Sequence, residues 1–188
     1  MDIHQLSVSY DAAQDRMLLR VNTLAGQEMR LWFTRRLMVG LWPMLSQTAT
    51  EHLLKLEAPS PDLADQGLRR MVAQFRRDEF VQQADFATPY QAQAALPLGA
   101  EPLLVTRVDV TPQASGNLRL DFHEQPAPGD QAPRQLQVEV AARLMHGLVH
   151  LLSQALAQSR WQEPLEVLPG TAAALPGDGD APQSRYLN

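Results

Sequence analysis

Cysteine is missing from this chain of 188 residues, and lysine occurs once, as Lys55. Without cysteine the chain forms no disulfide and no thiolate metal site, and it offers no thiol nucleophile. The sequence also lacks an apolar run of about 18 residues, the length that a membrane-spanning helix needs. Its N-terminus lacks the basic and apolar regions of a signal peptide. We therefore expect a bacterial, cytoplasmic protein with no membrane contact.

The chain has a shortage of positive charge, and the shortage is confined to its second half. Residues 1–83 hold ten basic and ten acidic side chains, whereas residues 84–188 hold six basic and eleven acidic ones. The net charge of −5 does not favour tight binding to a polyanion. A surface for nucleic acid is therefore expected only in the first half.

One stretch of the sequence occurs twice. Residues 36–47 and residues 143–154 align without gaps at an offset of 107, and eight of the twelve aligned positions are identical. The shared residues are Arg, Leu, Met, Gly, Leu, Leu, Ser and Gln. Most of them are apolar residues at helical spacing, so the repeated stretch is typical of a buried helix.

Three strands are predicted before each copy. Apolar and polar residues alternate over residues 3–10, 16–22 and 28–34, and again over residues 104–110, 118–122 and 136–140. This period of two is typical of half-buried strands. Leu136, Val138 and Val140 match Met29, Leu31 and Phe33 at the same offset of 107. Each half therefore predicts a β-β-β-α unit, and we interpret the chain as an internal duplication.

The helix of the first unit contains a proline that the second copy lacks. Thr34 is placed to cap this helix, and Pro43 predicts a kink or a break near residues 39–43. Its predicted buried stripe is Leu37, Met38, Leu41, Met44 and Leu45. The corresponding helix of the second unit is predicted over about residues 141–160.

A further helix is predicted between the two units, over about residues 62–83. Ser60 and Pro61 form a good helix start, as N-cap and first helical residue. The predicted buried side comprises Leu68, Met71, Val72 and Phe75. A long connection follows up to residue 102, and we expect Phe86 and Tyr90 to pin it to the body.

The fold class that these patterns predict is α+β. Two tandem β-β-β-α units with pseudo-twofold symmetry form a continuous or facing antiparallel sheet, which the duplicated helices cover. The inserted helix is expected on an edge or across the polar face. We predict a single domain over residues 1–162, made of a first repeat (3–57), the inserted helix and connection (58–102) and a second repeat (103–162). Residues 163–188, rich in proline and glycine, are predicted to be a flexible tail.

A set of arginines and one tryptophan in the first half predicts a possible surface for single-stranded nucleic acid or a protein partner. Arginines bind phosphates and an exposed tryptophan stacks on bases. The alternative is a solvated arginine-rich helix and a tryptophan that the inserted helix covers. The candidate residues are Trp32, Arg30, Arg35, Arg69, Arg70, Arg76 and Arg77.

Two tandem meander-plus-helix units resemble, at the level of fold, the PUR and Whirly families. The resemblance implies binding of single-stranded nucleic acid. The units of those families have four strands before the helix, whereas this sequence predicts three. Their binding faces are basic, whereas this chain is acidic.

Two groups of titratable residues are weaker candidates. His146 and His150 have the i,i+4 spacing of a helical metal site, but the alternative is a solvated helix face. Asp109, Asp121 and Glu124 lie on or beside strands, where they form either a carboxylate cluster or an ordinary polar face. Gly40 and Gly147 are single glycines, which we expect to allow close helix packing.

No sequence motif indicates catalysis or a cofactor, so the sequence leaves three functions open. The first is a non-catalytic binding or scaffold protein, with a protein partner or a second copy of itself. The second is a single-stranded nucleic-acid-binding protein. The third is an enzyme with its site in the seam between the repeats.

Overall fold

The computed structural model describes residues 1–57, 66–125 and 133–161, and for residues 56, 57, 66 and 68–70 it describes the backbone alone. In chain order the elements of the first half are β1 (Ile3–Asp11), β2 (Arg16–Thr23), β3 (Glu28–Thr34) and α1 (Arg35–Glu57). The remaining elements are α2 (Gln66–Gln83), β4 (Leu103–Leu104), β5 (Arg107–Pro112), β6 (Leu118–His123), β7 (Gln135–Val140) and α3 (Ala142–Ser159). This mixture of antiparallel meanders and helices confirms the predicted α+β class.

The strands form two sheets, and both contain the expected meander. In the first sheet β1, β2 and β3 pair antiparallel, and the short β4 adds to β3 in parallel. In the second sheet β5, β6 and β7 pair antiparallel. Gly26 takes a φ of 73° in the turn between β2 and β3, a conformation that glycine adopts without steric cost.

The strand predicted over residues 104–110 is wrong as a single element, because the chain there changes sheets. Leu103 and Leu104 pair with β3, and the Val105 N–H donates to the carbonyl of Trp32. The next N–H, that of Thr106, donates instead to the carbonyl of His123 on β6. One extended run of chain therefore links the two sheets at a corner, which alternation in the sequence does not reveal.

The inner faces of both sheets and the stripes of α1 and α3 form one shared core. Phe33 of the first sheet and Phe122 of the second meet in it, with ring centroids 6.1 Å apart. The helices cross over between the halves. Helix α1 contacts β5 as well as β3, and α3 contacts β1.

Helix α1 begins as the sequence predicts but does not break at its proline. The Thr34 hydroxyl accepts a hydrogen bond from the Leu37 N–H, at 3.3 Å. The helix then continues through Pro43 to Glu57. Val39 and Pro43 both lie on its exposed side, where water can satisfy the carbonyl that the proline leaves without a donor. Met44, predicted to be buried, is also exposed.

Helix α2 packs against α1 and α3, rather than on a sheet edge or across a polar sheet face. Ala73 of α2 is buried, and the half-buried Phe80 lies against His146 of α3. The Arg143 guanidinium ties the end of α2 by donating to the Gln83 carbonyl at 2.6 Å. The prediction that Met71, Val72 and Phe75 are buried is therefore wrong. The cap at Ser60 and Pro61 and the burial of Leu68 lie outside what the structure describes.

The two halves keep the sequence offset at their helices, since α1 begins at Arg35 and α3 begins 107 residues later at Ala142. The duplication, its symmetry and the domain boundaries stay predictions, and the predicted tail at 163–188 lies outside the described residues. Gly40 and Gly147 do not mark close packing, because a Cβ at either position would meet no neighbouring atom within 4 Å. None of the described helices is both long and apolar enough to cross a membrane.

Candidate functional site

The outer face of the first sheet is covered by the connection that follows α2, residues 84–102, which we call the strap. Hydrogen bonds between the strap and the sheet fix it there. The strap carbonyl of Gln91 accepts from the Asn22 amide at 2.8 Å, and the Gln91 N–H donates to Gln5 at 3.0 Å. The Gln93 N–H donates to the Glu28 carboxylate at 2.9 Å, and the Glu28 N–H donates to the Ala95 carbonyl at 2.8 Å.

Glu28 is the centre of this polar layer. Its side chain is fully buried, and Arg30 donates to it at 2.6 Å. Burial acts to raise the Glu28 pKa, but the hydrogen bonds from Arg30 and the Gln93 N–H outweigh it and hold the pKa below its usual range. Glu28 is therefore an ionised group that fixes the strap to the sheet.

Tyr90 pins the strap, as predicted from the sequence. The Arg20 guanidinium lies 4.4 Å from its ring centroid, a cation–π contact. Burial and the nearby Glu28 charge raise the pKa of the Tyr90 hydroxyl well above its ordinary value. Phe86, the second predicted anchor, contacts the ring of His150 with centroids 5.0 Å apart.

Arg30 and Trp32 lie in this covered layer. Arg30 is bound to Glu28, and Trp32 is half-buried on β3 between Leu18 of β2 and Leu104 of β4. The strap, and not the inserted helix, is the segment that crosses the face on which they lie.

Arg35 lies elsewhere, at the junction of α1 with the end of α3. Its guanidinium donates to the Trp161 carbonyl at 3.2 Å, and the Trp161 indole N–H donates to Asp15 at 2.6 Å. Hydrogen bonds from Trp161 and Tyr10 hold the Asp15 pKa below its ordinary value. These contacts give Arg35 a structural role.

The arginines of α2 form a third, separate location. Arg76 contacts Glu79 at 2.8 Å and Arg77 contacts Asp78 at 3.3 Å. The side chains of Arg69 and Arg70 lie outside what the structure describes. The predicted arginine and tryptophan set is therefore distributed over the strap face, the α1–α3 junction and α2.

An exposed apolar surface on α2, which the sequence does not reveal, is the most distinctive feature of this region. It consists of Met71, Val72 and Phe75, whose exposed fractions are 68%, 36% and 70%, and we call it the α2 apolar face. The sequence indicates the exposure of this face only indirectly. Ala73 and Phe80, seven residues apart, form a competing stripe on the opposite side of the helix, and the structure buries that stripe.

The two histidines of α3 are not on a solvated face, so that alternative is wrong for His146. Only 3% of His146 is exposed, and its ring lies 5.9 Å from that of Phe80 on α2. Burial, Arg77 and His52 lower the pKa of His146 to about 4. His150 is half-buried and lies 3.0 Å from the Gln154 amide. Among the described residues no group of three histidine or carboxylate side chains is arranged to hold a metal ion.

The carboxylates of the second half do not form one cluster. Asp109 and Asp121 face each other across β5 and β6, where Arg107 contacts Asp109 at 2.9 Å and Arg119 contacts Asp121 at 3.0 Å. Such paired charges are typical of a polar sheet face.

Glu124 has a different role, since it accepts two hydrogen bonds from Arg134, at 2.5 and 2.8 Å, and one from the Leu104 N–H. Arg134 also donates to the carbonyls of Leu98 and Glu101. The pair therefore ties the end of the strap to the second sheet, and the hydrogen bonds from Arg134 hold the Glu124 pKa below its ordinary value.

The seam where the two sheets meet α1 and α3 is tightly filled. The space left there is about 10 Å³. The residues around it are all apolar: Phe33, Leu41, Leu45, Val108, Leu120, Phe122, Leu148 and Leu152. These side chains supply no acid, base or nucleophile.

Comparison with known proteins adds no assignment, because no family model, curated protein or solved structure matches this chain.

Proposed function

We propose that this protein is a non-catalytic binding protein, and that the α2 apolar face is where it docks a protein partner. The finer proposal is a bacterial, cytoplasmic protein, and its cytoplasmic part is supported by the complete lack of cysteine. The observation that carries the proposal is the exposure of Met71 and Phe75 on a helix whose other side is packed.

Burial of these side chains favours association. Fully burying a methionine or phenylalanine stabilises by roughly 1.5–3 kcal/mol. Met71 and Phe75 remain about two-thirds exposed, so most of that free energy is still available to a partner. The two residues lie one helical turn apart, which is the spacing at which a helix presents anchors to a groove or to another helix.

The shape of the α2 apolar face indicates the kind of partner. The charged residues that share its side of the helix are Asp78 and Glu79, three and four residues after Phe75, and each contacts an arginine. Because these charges are paired, the apolar side chains carry the recognition. The partner that fits is an amphipathic helix whose apolar stripe covers Met71 and Phe75.

The other two functions receive less support from the described residues. Arg30 is held by Glu28, which also binds the strap, and Trp32 is half-buried on β3. Arg76 and Arg77 lie on a different element, α2. The small void where the two sheets meet α1 and α3 is lined by apolar side chains alone.

The proposal is tested by capture from a cell lysate with the full chain, followed by hydrogen exchange of the purified complex. A Met71→Gln/Phe75→Gln variant is compared with a Leu24→Gln/Val39→Gln variant, which removes exposed apolar residues elsewhere. We expect capture of a protein through an amphipathic segment, protection of the backbone at 70–76 and loss of capture in the first variant alone. Capture of nucleic acid, self-association through α2, or equal capture by both variants would contradict the proposal.

A further inference from the structure

A second site, separate from the α2 apolar face, lies where α1, α2 and α3 meet. It is a cavity of about 410 Å³, which we call the three-helix cavity. Small-molecule sites have volumes of about 300–1,000 Å³, so this cavity is large enough for a small ligand. Each helix contributes to its wall: Trp42 and Ser46 from α1, Arg77 and Asp78 from α2, and His146 and His150 from α3.

Two buried polar atoms in this wall have no partner. The Ser46 hydroxyl oxygen and the Nδ1 atom of His146 are both inaccessible and make no hydrogen bond within the described chain. An unsatisfied buried polar atom costs about 1–3 kcal/mol. His146 belongs to the core side of α3 and is almost wholly buried. Both residues line the same cavity. A small rotation of either side chain would turn its unpaired atom to a bound molecule, and the new hydrogen bond would offset that cost.

The charges at this site are one cation and one anion. Arg77 and Asp78 are adjacent on α2, about half exposed, and 3.3 Å apart at their nearest atoms. His146 is neutral near pH 7, because burial and the Arg77 charge lower its pKa to about 4. The lining therefore offers a positive and a negative group at the rim and neutral hydrogen-bonding groups in the wall.

This arrangement matches a ligand with both charges. We propose that the three-helix cavity binds a small zwitterion of the amino-acid type. Its carboxylate meets Arg77, its ammonium meets Asp78, and a polar group on its side chain bonds to His146 and Ser46. A simple anion or cation fits less well, because it leaves one member of the Arg77–Asp78 pair facing a like charge.

The probes are the twenty free L-amino acids, each titrated into the full chain while the imidazole nitrogens of His146 are followed by NMR. We expect a saturable shift with at least one amino acid. Its N-acetyl derivative, which lacks the ammonium, and its amide, which lacks the carboxylate, should each bind at least about tenfold more weakly. The proposal is overturned if no amino acid shifts these signals up to about 10 mM, or if acetate or the N-acetyl derivative binds equally well.

Rim variants locate the binding. Arg77→Gln and Asp78→Asn change half-exposed side chains, so both variants should fold. Each should weaken binding of the same amino acid by at least about tenfold, whereas Arg36→Gln, which lies outside this cavity, should leave it unchanged. Ser46→Ala should also weaken binding while the variant keeps its melting temperature within about 2 °C. Equal binding by the wild-type and both rim variants would place the amino acid elsewhere and overturn the proposal.

Discussion

The ring of Phe80 on α2 lies against the imidazole of His146 on α3, with centroids 5.9 Å apart. This contact, together with the buried Ala73, determines which side of α2 faces the body. The opposite side then carries Met71 and Phe75 into solvent. The orientation of α2 therefore both closes the three-helix cavity and exposes the apolar face.

Phe80 and Phe75 should differ in their effect on stability, although both are phenylalanines of the same helix. Phe80→Ala removes a packed ring and should lower the free energy of unfolding by about 1–3 kcal/mol, while Phe75→Ala should change it by less than about 0.5 kcal/mol. Urea unfolding of the two variants measures both values. Equal losses would mean that α2 does not have this orientation.

Acidification should destabilise the protein through His146. Its pKa is about 4 in the folded protein against an ordinary 6.5, so the unfolded chain binds the proton more strongly. The contribution of neutral His146 to the free energy of unfolding is fully present above pH 6.5. It is progressively lost as the pH falls towards 4. Between pH 7 and pH 4.5 the loss should be roughly 2–3 kcal/mol in urea unfolding.

His146→Gln isolates this effect, since the variant keeps a polar side chain and has no proton to gain. Carboxylates with lowered pKa values, such as Glu28 and Glu124, also lose stabilising charge in acid, and they do so in both proteins. The wild type should therefore lose more stability than His146→Gln over this pH range. Parallel pH profiles would show that His146 titrates normally.

Arg134 should matter more than an arginine in an exposed pair. Arg134→Ala leaves the largely buried Glu124 without its cation and releases the strap carbonyls, so we expect a loss on the order of 2 kcal/mol and faster hydrogen exchange at 98–104. The matched control is Arg107→Ala, whose pair with Asp109 is mostly exposed, and it should cost less than about 0.5 kcal/mol. Equal losses of unfolding free energy in the two variants would contradict the role of Arg134 in fixing the strap.

Alanine should stabilise the two helices at their glycines. Neither Gly40 nor Gly147 would bring a Cβ within 4 Å of another group, and both lie inside helices. Gly40→Ala and Gly147→Ala should each raise the free energy of unfolding by about 0.5–1 kcal/mol in thermal or urea unfolding. Destabilisation by either variant would indicate an approach that the structure does not contain.

Periodicity predicted the elements well, because each meander has one buried face and the alternation records it. The helix cap at Thr34 and the anchors at Phe86 and Tyr90 were also predicted, because each follows from the type of residue and its place in the chain. The corner at Val105 and Thr106 was not, since both residues continue the alternation while their backbone partners belong to different sheets.

The candidate site was predicted much less well. An isolated helix pattern shows that α2 is amphipathic, but Met71 and Phe75 compete with Ala73 and Phe80 for the buried side. The size of the apolar residues favoured the wrong face. Which side of α2 is buried depends on its packing against α1 and α3, and those contacts join residues that are distant in the sequence. The burial of His146 has the same origin, because Phe80 covers it from another helix.

The docking role of the α2 apolar face is tested most directly by the dissociation constant of the captured protein partner, measured for three versions of the full chain by titration calorimetry. We predict that Met71→Gln/Phe75→Gln weakens binding at least about 30-fold, because two apolar anchors are lost from the interface. The Leu24→Gln/Val39→Gln control should bind like the wild type. Wild-type affinity in the Met71→Gln/Phe75→Gln variant would show that the partner does not dock on the α2 apolar face.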